Sequence, residues 1–217
     1  MSPINLRKIA ISLAMFAVVI LASATLTRAD TVTFDLNRGS TLPNQSYGFI
    51  TLTLVGNTIQ VDVTLNAGNR IVNTGFDASV AFNYVGTGQI GVSGLPGTYT
   101  LVNDGNPSQI DMDGFGRFEY GVLFNLQGGG AGTDSSLTFT VTRVGGFGSV
   151  FDLVQGSTNP PGSFSTPFAI DIICDSCNGG NGATGVVGTS IPEPTTMMLL
   201  GSGLLGLGAT IRRRRRK

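Results

Sequence analysis

The stretch Phe49-Ile-Thr-Leu-Thr-Leu-Val-Gly-Asn-Thr-Ile-Gln-Val-Asp-Val-Thr-Leu65 reads as two strands and a turn. Ile50, Leu52 and Leu54 alternate with Thr51 and Thr53. After Gly56-Asn57, Ile59, Val61, Val63 and Leu65 alternate with Gln60, Asp62 and Thr64. A period of two sends successive side chains to opposite faces of a strand, and Gly-Asn between two such runs is a two-residue hairpin signal. The spacing predicts an antiparallel hairpin over residues 49–65, apolar on one face and polar on the other, as in a sheet with one side in water.

Working outward, the same period recurs. Val32, Phe34 and Leu36 share a face of Thr31–Leu36. Further runs follow at Ser79–Val85, Gln89–Val92, Thr98–Val102, Arg117–Leu126, Leu137–Val144, Ser149–Val154 and Phe168–Ile173. In Arg117–Leu126 the alternation places Phe118, Tyr120, Val122, Phe124 and Leu126 together. Glycine-rich turns separate the runs, no stretch of the body sustains a helical period, and no internal repeat is present. About ten short strands joined by turns predict an all-β body, an antiparallel β-sandwich or jelly roll over residues 30–177. Residues 178–190 are small and Gly-rich and predict a flexible linker, with Val186 and Val187 adding at most a short edge strand. The 32 glycines and 9 prolines of the 217 residues stay below the share of roughly 25–30% that marks low-complexity chains, so the body is read as folded.

Both ends of the chain differ from this body. At the start, Arg7 and Lys8 precede an apolar stretch, Ile9–Leu26, and Thr27-Arg28-Ala29 offers small residues for cleavage before Asp30. This is the pattern of a secretory signal peptide over residues 1–29. A cut after Ala22-Ser23-Ala24 and an uncleaved N-terminal anchor are the alternatives. No cysteine follows the apolar region, which argues against an N-terminal lipid anchor. At the other end, Pro192-Glu193-Pro194 resists helix formation. It precedes the uncharged residues 195–211, at the short limit for spanning a bilayer at ~1.5 Å per residue. Arg212, Arg213, Arg214, Arg215, Arg216 and Lys217 then form a cationic stop expected to stay cytoplasmic.

This three-part end over residues 191–217 resembles the PEP-CTERM sorting signal of Gram-negative envelope proteins. Pro192, Glu193 and Pro194 match its motif, residues 195–211 its transmembrane helix, and residues 212–217 its basic cluster. The resemblance implies recognition by an exosortase, an integral-membrane protease or transpeptidase, and a source that also makes exopolysaccharide. A plain tail anchor that is never cut predicts the same topology.

Charge narrows the partners. All 13 acidic residues lie between Asp30 and Glu193, a span with only Arg38, Arg70, Arg117 and Arg143, so the exported part has a net charge of −9. That disfavours nucleic acid and anionic surfaces and suits cations or neutral glycans. The chain has no His, which removes His-ligated metals and any Ser-His-Asp triad. A carboxylate pair remains the one catalytic option, but Glu119 and Glu193 are the only glutamates and Glu193 sits in the terminal motif. Cys174-Asp-Ser-Cys177 lacks the further ligands a zinc site needs and the following helix of a thioredoxin-like motif. It reads as a local disulfide formed in an oxidising compartment. Asp104, Asn106, Asp111 and Asp113 offer hard oxygen ligands to Ca²⁺, although their spacing departs from the EF-hand loop and the same residues serve plain turns. The aromatic residues, mostly Phe at alternating positions and none of them Trp, read as core rather than as a sugar platform.

The sequence thus predicts an exported, non-enzymatic surface or matrix protein. It is an inner-membrane intermediate before exosortase processing and is associated afterwards with exopolysaccharide or biofilm. Two other classes stay open: a carbohydrate-binding module adhering to exopolysaccharide, and a matrix hydrolase.

Overall fold

A computed structural model describes residues 30–104, 110–128, 132, 134–161 and 164–190. The signal peptide, Asn106, Pro192-Glu193-Pro194, the apolar residues 195–211 and the cationic cluster 212–217 lie outside the described residues.

Strands β2 (Gly48–Val55) and β3 (Thr58–Leu65) form the expected hairpin, in unbroken register from Gly48 opposite Leu65 to Val55 opposite Thr58. Gly56 takes φ +63° at the turn, a region that a Cβ resists. Ile50, Leu52, Ile59, Val61, Val63 and Leu65 are buried, and Leu54 packs against them. The other face holds threonine pairs such as Thr33 and Thr51, with hydroxyls 3.1 Å apart.

Among the described residues the fold is all-β. The other strands are β1 (Thr31–Gly39), β4 (Asn69–Ile71), β5 (Val80–Phe82), β6 (Ile90–Ser93), β7 (Tyr99–Asp104), β8 (Ile110–Met112), β9 (Gly116–Phe118), β10 (Tyr120–Phe124), β11 (Ser136–Arg143), β12 (Phe168–Cys174) and β13 (Ala183–Thr189). Eleven of the strands make one sheet in the order β6-β11-β3-β2-β1-β13-β12-β5-β10-β7, with β4 beside β12. The sheet turns at β1. Its first half, Thr31–Asp35, pairs with β2, and its second half, Leu36–Gly39, pairs with β13 across an irregularity between Leu36 and Arg38. Such a bulge bends a strand and raises its twist. The sheet is near-closed, with its end strands β6 and β7 in contact.

The two limbs face each other across one core. Phe82 on β5 packs against Phe139 on β11 at 5.9 Å between ring centroids, and Phe34 on β1 against Phe168 on β12 at 5.8 Å. Each such buried side chain is worth ~1.5–3 kcal/mol of transfer free energy. The limb containing β5, β10, β12 and β13 is covered on its outer face too. There the β8–β9 hairpin lays Ile110, Met112, Phe115 and Phe118 over Ala78, Ala81, Ala169 and Val186.

Three expectations are corrected. Ser149–Val154 is not a strand: Val150–Leu153 is a 3-10 turn whose cap, Ser149, accepts a bond from the Phe151 amide at 3.2 Å. Such local side-chain-to-backbone bonds compete with strand pairing. Arg117–Leu126 is two strands, broken at Glu119, whose amide donates to Asn83 Oδ1 at 2.8 Å. The break sends Phe118 to the outer cluster while Tyr120, Val122 and Phe124 enter the main core; Leu126 is exposed.

The third correction is the linker. Residues 178–182 turn a hairpin, and Ala183–Thr189 is an interior strand, bonded to β1 on one side and β12 on the other. Its glycines are there for space. A Cβ on Gly188 would lie 2.5 Å from the Phe115 ring, and one on Gly185 would lie 2.7 Å from Thr41 Oγ1. Glycine inside a strand marks such close approaches.

Candidate functional site

The segment with the clearest sequence signal begins where the described sheet ends. Strand β13 stops at Thr189, one residue before Ser190, and its end is fastened rather than frayed. Thr166, fully buried, accepts a bond from the Thr189 amide at 2.9 Å. Its hydroxyl lies 2.8 Å from the carbonyls of both Phe168 and Thr189 and can donate to one of them. Asn37 Nδ2 donates to Ser190 Oγ at 3.2 Å. The Pro192-Glu193-Pro194 triplet therefore follows within a few residues of a strand locked in the sheet.

The other end of β13 carries the disulfide. Cys174 closes β12, Cys177 opens the 3-10 turn Asn178–Gly180, and the two are bonded. Gln45 Nε2 lies 3.8 Å from Cys177 Sγ. Beside it, Arg70 and Asp175 pair at 2.8 Å in partial exposure. The bond thus clips the loop of the β12–β13 hairpin rather than the border of a linker.

Of the four calcium candidates, Asn106 lies outside the described residues and the other three lie on separate elements. Asp104 ends β7, Asp111 lies on β8, and Asp113 lies in the β8–β9 turn. The Asp111 amide donates to Asp77 Oδ2 at 3.1 Å, and its carboxylate lies 3.8 Å from Arg117 Nε, which already offsets its charge. Among the described residues, no group of three or more His, Cys, Asp or Glu side chains is placed to hold a metal ion. Asp111 and Asp113 do line an open depression of about 410 Å³, together with Gly75, Phe76 and Asp77.

One ionisable group went unread in the sequence. Asp171 on β12 is fully buried. Its Oδ2 accepts bonds from the Thr74 amide and hydroxyl, both at 2.7 Å, while Oδ1 has no partner. Burial pushes its pKa up to about 6, against the opposing effect of the Thr74 bonds. Glu119 is also raised by burial, offset in part by a backbone bond at Tyr84. The sequence did carry a signal at Asp171. A carboxylate in the apolar run Phe168-Ala-Ile-Asp-Ile-Ile-Cys174 stands in a strand covered on both faces, where a charge needs partners.

Among the described residues, no helix is long and apolar enough to cross a membrane. Comparison with known proteins identifies one segment. The family model of the PEP-CTERM protein-sorting motif matches residues 190–216. No curated protein and no solved structure matches the chain. The motif marks the chain as exported and sorted through the membrane by an exosortase.

Proposed function

We propose that this chain is a non-enzymatic surface or matrix protein of a Gram-negative bacterium, delivered as a folded β domain and associated with exopolysaccharide. In this reading, residues 195–211 hold the exported chain in the inner membrane with the basic cluster inside. Exosortase acts near Pro192-Glu193-Pro194, and the body is released or transferred to the surface. Glu193 and the two prolines are substrate features rather than catalytic groups. In fold terms the bent sheet is read as a jelly-roll-like sandwich, on the strength of the Phe82–Phe139 packing between limbs.

The observation that carries this reading is the junction. The sorting motif starts at Ser190, and the sheet is complete at Thr189. A cut at the motif thus leaves a whole domain and removes only the membrane segment. Intact-mass analysis of the protein from its native host tests it. The expected mass lacks residues 1–29 and the residues following the motif. A mass that retains Arg212–Lys217 replaces processing with a plain tail anchor.

A second reading is favoured by the depression beside Phe76, where one half-buried aromatic ring and the Asp77, Asp111 and Asp113 carboxylates line a concave surface. Carboxylates that accept hydroxyl bonds beside an aromatic face suit a neutral sugar. A glycan array with residues 30–190 distinguishes a carbohydrate-binding module from a passive matrix component, and an activity screen on the same fragment tests the hydrolase.

A further inference from the structure

Among the described residues, six large apolar side chains are exposed: Phe49, Val55, Val85, Leu126, Val144 and Phe151. Four of them gather at one end of the molecule. Val55 closes β2 beside the start of β1, where the Leu54 amide donates to the Asp30 carbonyl at 2.8 Å. Val144, 99% exposed, follows β11 beside the β2–β3 turn, where the Phe147 amide donates to the Asn57 carbonyl at 2.8 Å. Phe151 lies in the 3-10 turn held at this end by bonds from Ser149 Oγ and the Val150 amide to Asp30 Oδ2. Val85 joins that turn through its amide, which donates to the Asp152 carbonyl at 2.8 Å.

Both termini of the body are directed to this same end. Asp30 is part of it. Strand β13 runs antiparallel to β1, with Thr189 opposite Leu36, so the chain leaves the sheet heading toward Thr31. From Leu36 to Thr31 is five residues of strand, ~17 Å at ~3.4 Å per residue. Residues 190–194 are also five and reach at most ~18 Å when extended. The apolar stretch that starts at residue 195 therefore begins level with the exposed apolar rim or closer to the sheet.

We infer that, while the chain is anchored, this end of the body rests on the lipid bilayer. Val55, Val85, Val144 and Phe151 then lie in the headgroup region of the leaflet that residues 195–211 enter. The inference rests on the reading that those residues are the membrane segment. The contact is apolar rather than electrostatic. Arg143, the cationic side chain at this end, is already engaged by the Gly146 carbonyl and the Tyr84 hydroxyl, and it lies 5.3 Å from the Phe147 ring. Asp30 and Asp152 are bound to local amides and a hydroxyl. The net charge of −9 gives no attraction to anionic lipid. Four scattered side chains make a weak contact alone, and it is the tether that holds them at high effective concentration. Cutting the tether at the motif therefore also frees the docked face.

The test uses the chain as it stands after removal of the signal peptide, residues 30–217, reconstituted into phosphatidylcholine vesicles that carry a headgroup-level quencher lipid. An environment-sensitive fluorophore is placed at Val144→Cys or, at the opposite end, at Leu126→Cys. Both native cysteines are in the disulfide, so the introduced thiol alone is labelled. The expected result is several-fold stronger quenching at 144 than at 126. The pair Phe151→Cys and Phe49→Cys should repeat the contrast, so that no result depends on one variant. A chain that does not float with the vesicles overturns the membrane-segment reading and this inference with it. A chain that floats but is quenched equally at both ends, or more at 126, overturns the docking alone and leaves the anchor standing.

Discussion

The β2–β3 hairpin and the β12–β13 hairpin are neighbours in one sheet, separated by β1, yet they follow opposite rules. In β2–β3, one face is apolar and the other keeps Thr, Gln and Asp toward water. In β12–β13, both faces are covered, by the main core on one side and by Phe115, Met112 and the loops on the other. Alternation is a property of half-wet strands. Where water is excluded from both faces, composition is set by the space available, and a strand such as Ala183-Thr-Gly-Val-Val-Gly-Thr189 takes small residues because neighbours crowd it.

The sharpest way to break the comparison is a charge on the covered face of the first hairpin. Val61→Asp should cost more than about 4 kcal/mol, enough to unfold a marginal domain. Thr51→Asp on the other face should stay within ~1 kcal/mol. Urea unfolding followed by far-UV circular dichroism reads both, and equal losses would erase the two-faced picture.

The next effect belongs to the second hairpin. The folded pKa of Asp171, about 6, lies above its ordinary 3.8. The folded state therefore holds the proton more tightly than the unfolded state does. The stability from this group is fully present below about pH 4 and is lost as pH rises through 6, by on the order of 3 kcal/mol at most. Asp171→Asn should remove that slope. The difference between the two unfolding free energies, measured from pH 4 to 7, checks it; a constant difference would mean that the carboxyl is not desolvated.

Crowding is tested at Gly188. Gly188→Ala should destabilise by ~1–3 kcal/mol, because the added methyl meets the Phe115 ring. Gly97→Ala, which meets open space, serves as the control in the same melt. If the two variants melt alike, β13 is not packed as described.

The smallest effect is expected at the disulfide. The loop between Cys174 and Cys177 is so short that closing it removes little unfolded-state entropy. Replacing both with Ser should lower the melting temperature by only a few degrees. Failure of the double variant to fold would assign the bond a larger part in pairing β12 with β13.

The sequence was legible where one face is wet. The hairpin 49–65, β1 and β11 lie where their alternating apolar residues place them, β12 was marked instead by its continuous apolar run, and the three-part terminus was readable because its segments occur in a fixed order. The rest was hidden for identifiable reasons. β8 and β9 are three residues each, too short to show a period. In β13, Gly185 and Gly188 imitate a spacer, and the positive φ angles of Gly179, Gly180 and Gly182 belong to the turn that precedes it. Thr166 gave no sign of its role because its partners at Thr189 lie 23 residues away.

The position of β13 also bears on the time order of folding. The first strand of the body, β1, completes its pairing with the last, more than a hundred residues later in the chain. Contacts so distant in sequence form slowly, because a long loop must close before they return any energy. A chain exported from its N-terminus presents β1 early and β13 last. Until β13 arrives, β1 and β12 each have an open edge in the region it will fill, so the sheet stays unfinished. Completion requires Thr189, the residue directly before the sorting motif.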